Sequence, residues 1–134
     1  MAYQGWLIKV GNYTIPLSLI RADSYSVFMS ITDLDSFVDA NGYLHRNALD
    51  HIAYKAEFET KPLLSNTEFA DLMSNIRSNF TVARERKASV TLYIPETDSY
   101  VTQDMYMPDI KPSMYLASDT EIKYNAVRLA FIGY

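Results

Sequence analysis

Three segments of the chain alternate apolar and polar residues with the period of two that is typical of half-buried β-strands. The apolar positions are Ile52, Tyr54, Ala56 and Phe58 in HIAYKAEFET, Val90, Leu92 and Ile94 in ASVTLYIP, and Val127, Leu129 and Phe131 in EIKYNAVRLAFIGY. WLIKV and YTIPLSLI predict an N-terminal hairpin turned at Gly11-Asn12, and SYSVFMSI predicts a further strand. The pattern therefore predicts antiparallel sheets with one face in the core and the other in water.

Residues 63–80, LLSNTEFADLMSNIRSNF, have the spacing of an amphipathic helix instead. Their apolar stripe consists of Phe69, Leu72, Met73, Ile76 and Phe80. Ser65 and Glu68 are spaced as a capping box, and Leu64 and Phe69 as a hydrophobic staple. One helix among many strands predicts that its stripe packs across a sheet.

The length, net charge and composition of the chain exclude several classes of protein. A chain of 134 residues without a linker or repeat predicts one domain over residues 1–134. A net charge of −4 argues against broad binding to nucleic-acid phosphates. The absence of cysteine excludes disulfides, zinc–thiolate clusters and thiol nucleophiles. No secretory leader is expected, because the N-terminal segment lacks a basic region and is broken by Gly5, Gly11 and Pro16. No membrane insertion is expected either, because no apolar run approaches the roughly 20 residues that span a bilayer.

The segment Asp33–Leu49, DLDSFVDANGYLHRNAL, crowds carboxylates around the tetrapeptide DANG. With Gly42 at position six of an EF-hand loop, Phe37 falls at position one and Ala48 at position twelve. Both positions require acidic ligands, so calcium is not predicted. Asn41-Gly42 is a preferred pair for a type I′ turn, in which both central residues have positive φ. The segment therefore predicts a hairpin with a charged, solvated tip.

No catalytic, cofactor or metal residue is predicted. His45 and His51 are the only histidines, and their spacing matches neither an HxxxH helix nor a His-x-His strand. No GxSxG elbow supports a Ser–His–Asp triad, and four glycines provide no phosphate-binding loop. An enzyme is therefore the least favoured class of function.

Residues 95–121, PETDSYVTQDMYMPDIKPSMYLASDTE, are rich in Pro, Met and Tyr. Pro108 and Pro112 exclude a regular central strand around them. The segment is therefore predicted to be irregular or to form the edge of a sheet. Met and Tyr suit an adaptable contact surface. The alternative is a long loop folded over its own sheet.

Several stretches resemble small proteins encoded in the tail gene modules of bacteriophages and prophages. They are GWLIKVGNYTIPLSLIRADSY, DLDSFVDANGYLHRNALDH, YKAEFET, TLYIPETDSYVTQDMYMPDI and RLAFIGY. The order of elements also resembles the fold of tail-tube, distal-tail and tail-terminator proteins. This resemblance implies a mainly β (α+β) fold, with two packed antiparallel sheets in a β-sandwich or partly open barrel and one flanking α-helix.

The resemblance also implies a non-enzymatic structural protein of the virion tail, assembled in the host bacterial cytoplasm. Its partners would be further copies of itself in a ring, as a hexamer, and other phage tail proteins. The implied assembly arms are Asp35–Leu49 and Thr97–Leu116. The predicted contact residues in them are Asp35, Phe37, Tyr43, Leu44, Arg46, Tyr100, Met105, Tyr106, Met107, Met114 and Tyr115.

A binding module of a different class is the main alternative, for instance a β-sandwich that recognises a glycan or protein of the host surface. Such a module would present exposed Trp or Tyr over a shallow groove. The single tryptophan, Trp6, falls instead in a segment predicted to be a core-like strand. The sequence therefore favours a structural tail protein.

Overall fold

The computed structural model describes residues 2–134, and within them every side chain except those of Ser30 and Thr32. The strands and the α-helix of the described residues are β1 (Ile8–Val10), β2 (Tyr13–Thr14), β3 (Ser26–Asp33), β4 (Phe37–Val38), β5 (Leu44–His45), β6 (Ala48–Glu59), β7 (Leu64–Ser65), α1 (Asn66–Arg77), β8 (Lys87–Ile94), β9 (Ser99–Tyr106), β10 (Met114–Ala117), β11 (Ile122–Tyr124) and β12 (Arg128–Gly133). Short 3-10 helices lie at Leu17–Leu19 and Ala83–Glu85. No helix in this part of the chain has the length and apolar character needed to cross a membrane.

The strands form a principal sheet of seven, in the order β2-β1-β8-β9-β12-β6-β3, and a small sheet in the order β10-β11-β7. Strands β4 and β5 pair only with each other. All the named pairings are antiparallel. The predicted mainly β fold with antiparallel sheets and one helix is confirmed, and the principal sheet is open, with β2 and β3 at its edges.

The core lies between one face of the principal sheet and α1. The helix buries Phe69, Leu72, Met73 and Ile76 in one cluster with the alternate residues of β8 and β12. The predicted strand alternation is confirmed, since every second residue of β8 is buried. The predicted capping box is also confirmed: Ser65 Oγ accepts a hydrogen bond from the Glu68 N–H at 3.2 Å, and Glu68 Oε1 accepts from the Ser65 N–H at 3.3 Å.

A side chain bridges β9 and β6 where β12 ends between them. Gln103 Oε1 accepts a hydrogen bond from the Tyr54 N–H at 3.1 Å, and Gln103 Nε2 donates to the Ile52 carbonyl at 2.9 Å. Gly133 makes room for this amide, because a Cβ built there would lie 2.1 Å from Gln103 Oε1. The amide thus replaces the peptide group that a longer β12 would contribute.

Strands β3 and β6 continue beyond the body of the sheet. They pair from Ser26 and Glu57 at one end to Asp33 and Ala48 at the other. Strand β12 accompanies β6 only along residues 55–59. The opposite end of β6 and its partner β3 therefore leave the sheet as a two-stranded ribbon that leads into the β4–β5 hairpin.

Candidate assembly interface

We call residues 31–51, which comprise the end of this ribbon and the β4–β5 hairpin, the arm. Every side chain described in the arm is exposed except that of Asp39, which is half-buried. Its exposed large apolar residues are Ile31, Leu34, Phe37, Val38, Tyr43, Leu44 and Leu49. Soluble monomers rarely present so many apolar side chains together unless the surface binds something.

The hairpin tip is confirmed, but its predicted turn type is wrong. Gly42 has φ +86°, whereas Asn41 is not among the residues with positive φ, as a type I′ turn would require. The Gly42 N–H donates to the Asp39 carbonyl at 3.0 Å, and the Asp39 N–H donates to the Tyr43 carbonyl at 2.9 Å. The tip is therefore a type I turn over Ala40-Asn41, followed by a glycine bulge.

The side chain of Asp39 explains this geometry. Its Oδ1 accepts hydrogen bonds from the N–H groups of Asn41, at 2.9 Å, and Tyr43, at 3.0 Å. Its Oδ2 lies 2.7 Å from His45 Nε2, and the His45 ring stacks on Phe37 with 4.8 Å between centroids. The hydrogen bond from His45, assisted by the backbone N–H groups, lowers the pKa of Asp39.

An ion pair braces the root of the arm. Arg46 donates through Nε to Asp33 Oδ2 at 3.1 Å and through Nη2 to Asp33 Oδ1 at 2.9 Å. These hydrogen bonds lower the pKa of Asp33. The Leu34 N–H also donates to the Asn47 carbonyl at 2.8 Å. The predicted contact residue Arg46 thus orders the arm itself, and Asp35, also a predicted contact residue, has a positive φ of +56°.

The tip should loosen when Asp39 loses its charge. In Asp39→Asn, and in the wild type at low pH, the amide protons of Asn41 and Tyr43 should lose protection against exchange, measured relative to an unstructured peptide at the same pH, because their acceptor is weakened. Since the pKa of Asp39 is lowered by folding, its contribution is complete above the ordinary value of about 3.9 and is lost as the pH falls through the lowered value. Hydrogen exchange followed by NMR would measure this change.

Asp35→Asn is the matched control, because asparagine also tolerates the positive φ of this exposed position. Equal exchange rates at the tip in Asp39→Asn and in the wild type would contradict the proposed role of Asp39.

The prediction that Thr97–Leu116 forms a second assembly arm is wrong for the first half of that segment. Residues 99–106 are the central strand β9, paired with β8 and β12. Met105 and Met107 are only 1% and 3% exposed, so within the subunit they are core residues and not contact residues. Pro108 and Pro112 follow β9 rather than interrupt it, which is why the strand is regular.

The two tyrosines predicted as contacts in this half are half-buried and engaged within the subunit. Tyr100 stacks on Trp6 with 4.3 Å between ring centroids, and Tyr106 meets Tyr134 edge-on at 5.6 Å. Trp6 was predicted in a core-like strand, but it precedes β1 and is half-buried. Its ring therefore contacts an aromatic residue of its own subunit, Tyr100.

The second half of that segment does expose apolar side chains. Met114 and Tyr115 are 56% and 66% exposed, and Leu116 beside them is also exposed. They lie on β10, an edge strand of the small sheet. Exposed apolar edge strands are sites at which other chains pair.

Sequence reasoning missed part of the arm. Ile31, Leu34, Val38 and Leu49 are exposed but were not predicted as contacts. Of these four, only Ile31 lies in a segment with a sequence signal: in SYSVFMSI, Phe28 interrupts an otherwise polar set of even positions. The sequence around Leu34, Val38 and Leu49 contains no comparable signal.

The whole chain, residues 1–134, matches the profile of a protein family described as a family of unknown function, DUF6711. The chain belongs to this family. No curated protein matches this DUF6711 member.

Solved structures provide the second comparison for this DUF6711 member. It superposes with a TM-score of 0.50 and 16% identity on a chain in the tail of an empty gene transfer agent (GTA) particle, obtained by helical refinement with C6 symmetry. The match covers 99% of this chain and 95% of that one. A chain in the virion of a native GTA particle gives a TM-score of 0.51 at 15% identity, covering 100% and 94%. At such identities the likeness shows a shared fold.

Proposed function

We propose that the protein is a non-enzymatic structural component of a bacteriophage or prophage tail, which assembles with copies of itself into rings of the tail tube or distal tail. The observation that carries this proposal is the arm: an ordered hairpin that projects from the body and exposes seven large apolar side chains.

The chemistry of the arm supports a protein partner. A specific interface buries on the order of 1,000 Å² or more, with aromatic and aliphatic anchors surrounded by a polar rim. Phe37, Tyr43 and Leu44 supply such anchors, and Asp35 and Arg46 supply charges beside them. Asp39 and the Asp33–Arg46 pair already hold the arm in one conformation. Docking of the arm therefore costs little further conformational entropy.

The shared fold supports the choice of assembly. The similar chain belongs to a GTA tail that was computed with C6 symmetry. A hexameric ring is accordingly the assembly that we propose for this protein, with other tail proteins above and below it. Its net charge of −4 suits a passage for DNA, because an acidic surface repels phosphate.

Imaging tests the proposal most directly. We expect rings or short tubes by negative-stain electron microscopy of the concentrated protein, and many copies of the chain in tails purified from the phage or prophage that encodes it. Absence of the chain from purified tails, with a monomer at every concentration, would contradict the proposal. Specific binding to a glycan array by that monomer would favour a binding module instead.

A further inference from the structure

We propose that the arm of one copy docks into a cleft at the opposite end of the next copy, so that subunits join head to tail. This inference rests on the proposed self-assembly and identifies the surface that receives the arm.

The cleft has a volume of about 350 Å³, near the lower end of ligand-sized pockets, and could admit one or two large side chains. Its apolar lining comes from Leu7, Leu17, Ile20 and Tyr25, with Arg21 and Asp23 as its charged residues. The Tyr25 hydroxyl donates to the Tyr93 carbonyl at 2.7 Å, so this polar group is satisfied within the subunit. The lining therefore offers mainly apolar contact to an incoming residue.

The cleft and the arm lie at opposite ends of β6. The Arg21 N–H donates to the carbonyl of Glu59, the last residue of β6, at 2.8 Å. The arm lies at the other end, because it includes the first residues of β6, Ala48 to His51. Twelve residues of extended chain separate the two ends by about 36 Å. A single copy therefore cannot place its own arm in its own cleft, whereas a second copy can.

Further apolar surface adjoins the cleft. The Lys61 N–H donates to the Leu19 carbonyl. Two residues further along, Leu63 is exposed and its N–H donates to the Tyr124 carbonyl. Tyr124 in turn pairs with Met114 of β10. These successive contacts connect the cleft to the exposed apolar residues of β10. The apolar surface of the receiving end thus extends from the cleft to Leu63 and to the exposed residues of β10.

Charge favours this pairing over contact between two arms. The arm carries four aspartates and one arginine, so two arms side by side would repel each other. Asp35 and Asp50 form no ion pair with any described residue. Lys61, next to the cleft, is likewise unpaired among the described residues and can face an acidic arm.

Contact between two different surfaces is heterologous, so it propagates from copy to copy until a ring closes or a stack forms. The proposed geometry therefore produces an extended assembly without a second type of interface.

Cross-linking can test the pairing cleanly because the chain has no cysteine of its own. Asn41→Cys at the exposed arm tip and Ala22→Cys at the cleft would be purified separately, mixed and treated with a short bismaleimide. We expect a covalent 41–22 heterodimer, and a ladder of oligomers when both cysteines are in one chain. Ser74→Cys, on the exposed face of α1, replaces Ala22→Cys in the control mixture and should give much less product.

A dominant 41–41 product, or rings without a 41–22 product, would overturn the head-to-tail pairing while leaving self-assembly intact. If no variant or wild-type protein assembles or cross-links, self-assembly itself fails. As a second measurement, Leu17→Asp should block the cleft but keep the arm. Mixed with a variant whose arm is defective, such as Tyr43→Ser with Leu44→Ser, it should form dimers that cannot grow further. Continued assembly of the Leu17→Asp protein alone would also overturn the head-to-tail pairing.

Discussion

Replacing Tyr43 and Leu44 together by serine should abolish self-assembly and leave the free energy of unfolding of the subunit almost unchanged. The two side chains are 71% and 59% exposed, so the core does not depend on them. Surface substitutions of this kind usually change stability by no more than about 0.5 kcal/mol. Anchor residues of an interface can each contribute about 2 kcal/mol or more to binding. Losing two would weaken each contact by roughly a thousandfold.

Sedimentation velocity and negative-stain imaging would measure assembly, and urea titration would measure stability. The matched control is Asp71→Ala with Ser74→Ala, two exposed positions on α1. This control should assemble like the wild type. Rings of normal abundance from the Tyr43→Ser, Leu44→Ser protein would show that the arm is not part of the interface. Loss of stability in urea would indicate a folding defect instead.

Gly133→Ala should destabilise the subunit by about 1–3 kcal/mol, because two half-buried backbone groups would lose their hydrogen bonds to Gln103, each worth about 0.5–1.5 kcal/mol. The added Cβ would lie 2.1 Å from Gln103 Oε1 and 3.0 Å from the Tyr54 carbonyl oxygen. Gln103 would have to withdraw, which would leave the Tyr54 N–H and the Ile52 carbonyl without the amide.

A double-mutant cycle checks this mechanism. Gln103→Ala alone removes the same two hydrogen bonds, so the double variant should cost clearly less than the sum of the two single variants. Urea titration of the four proteins would provide the values. Additive losses would show that Gly133 and Gln103 act independently, and an unchanged stability of Gly133→Ala would refute the bridge.

The strands and the helix could be predicted because their signals are local. Alternate residues such as Val90 and Leu92 face the core while their neighbours face outwards. The sequence shows this directly as an alternation of apolar and polar residues. The capping box at Ser65 is a contact between residues three apart, so spacing alone identifies it.

The misjudged features depend on contacts or positions that spacing does not reveal. The turn at Asn41-Gly42 follows from the Asp39 side chain capturing two backbone N–H groups, which selects a different turn from the one that the dipeptide prefers. Strand β9 was overlooked because two prolines stand close behind it. The cleft combines Leu7 with residues 17–25, which share no motif, so only the folded chain brings them together.

Strand β6 also has a mechanical consequence. Tension applied at the projecting end would run along the strand, whereas its ladder hydrogen bonds to β3 and β12 lie across it. A pull in this direction loads these bonds in shear and distributes the force over many of them at once.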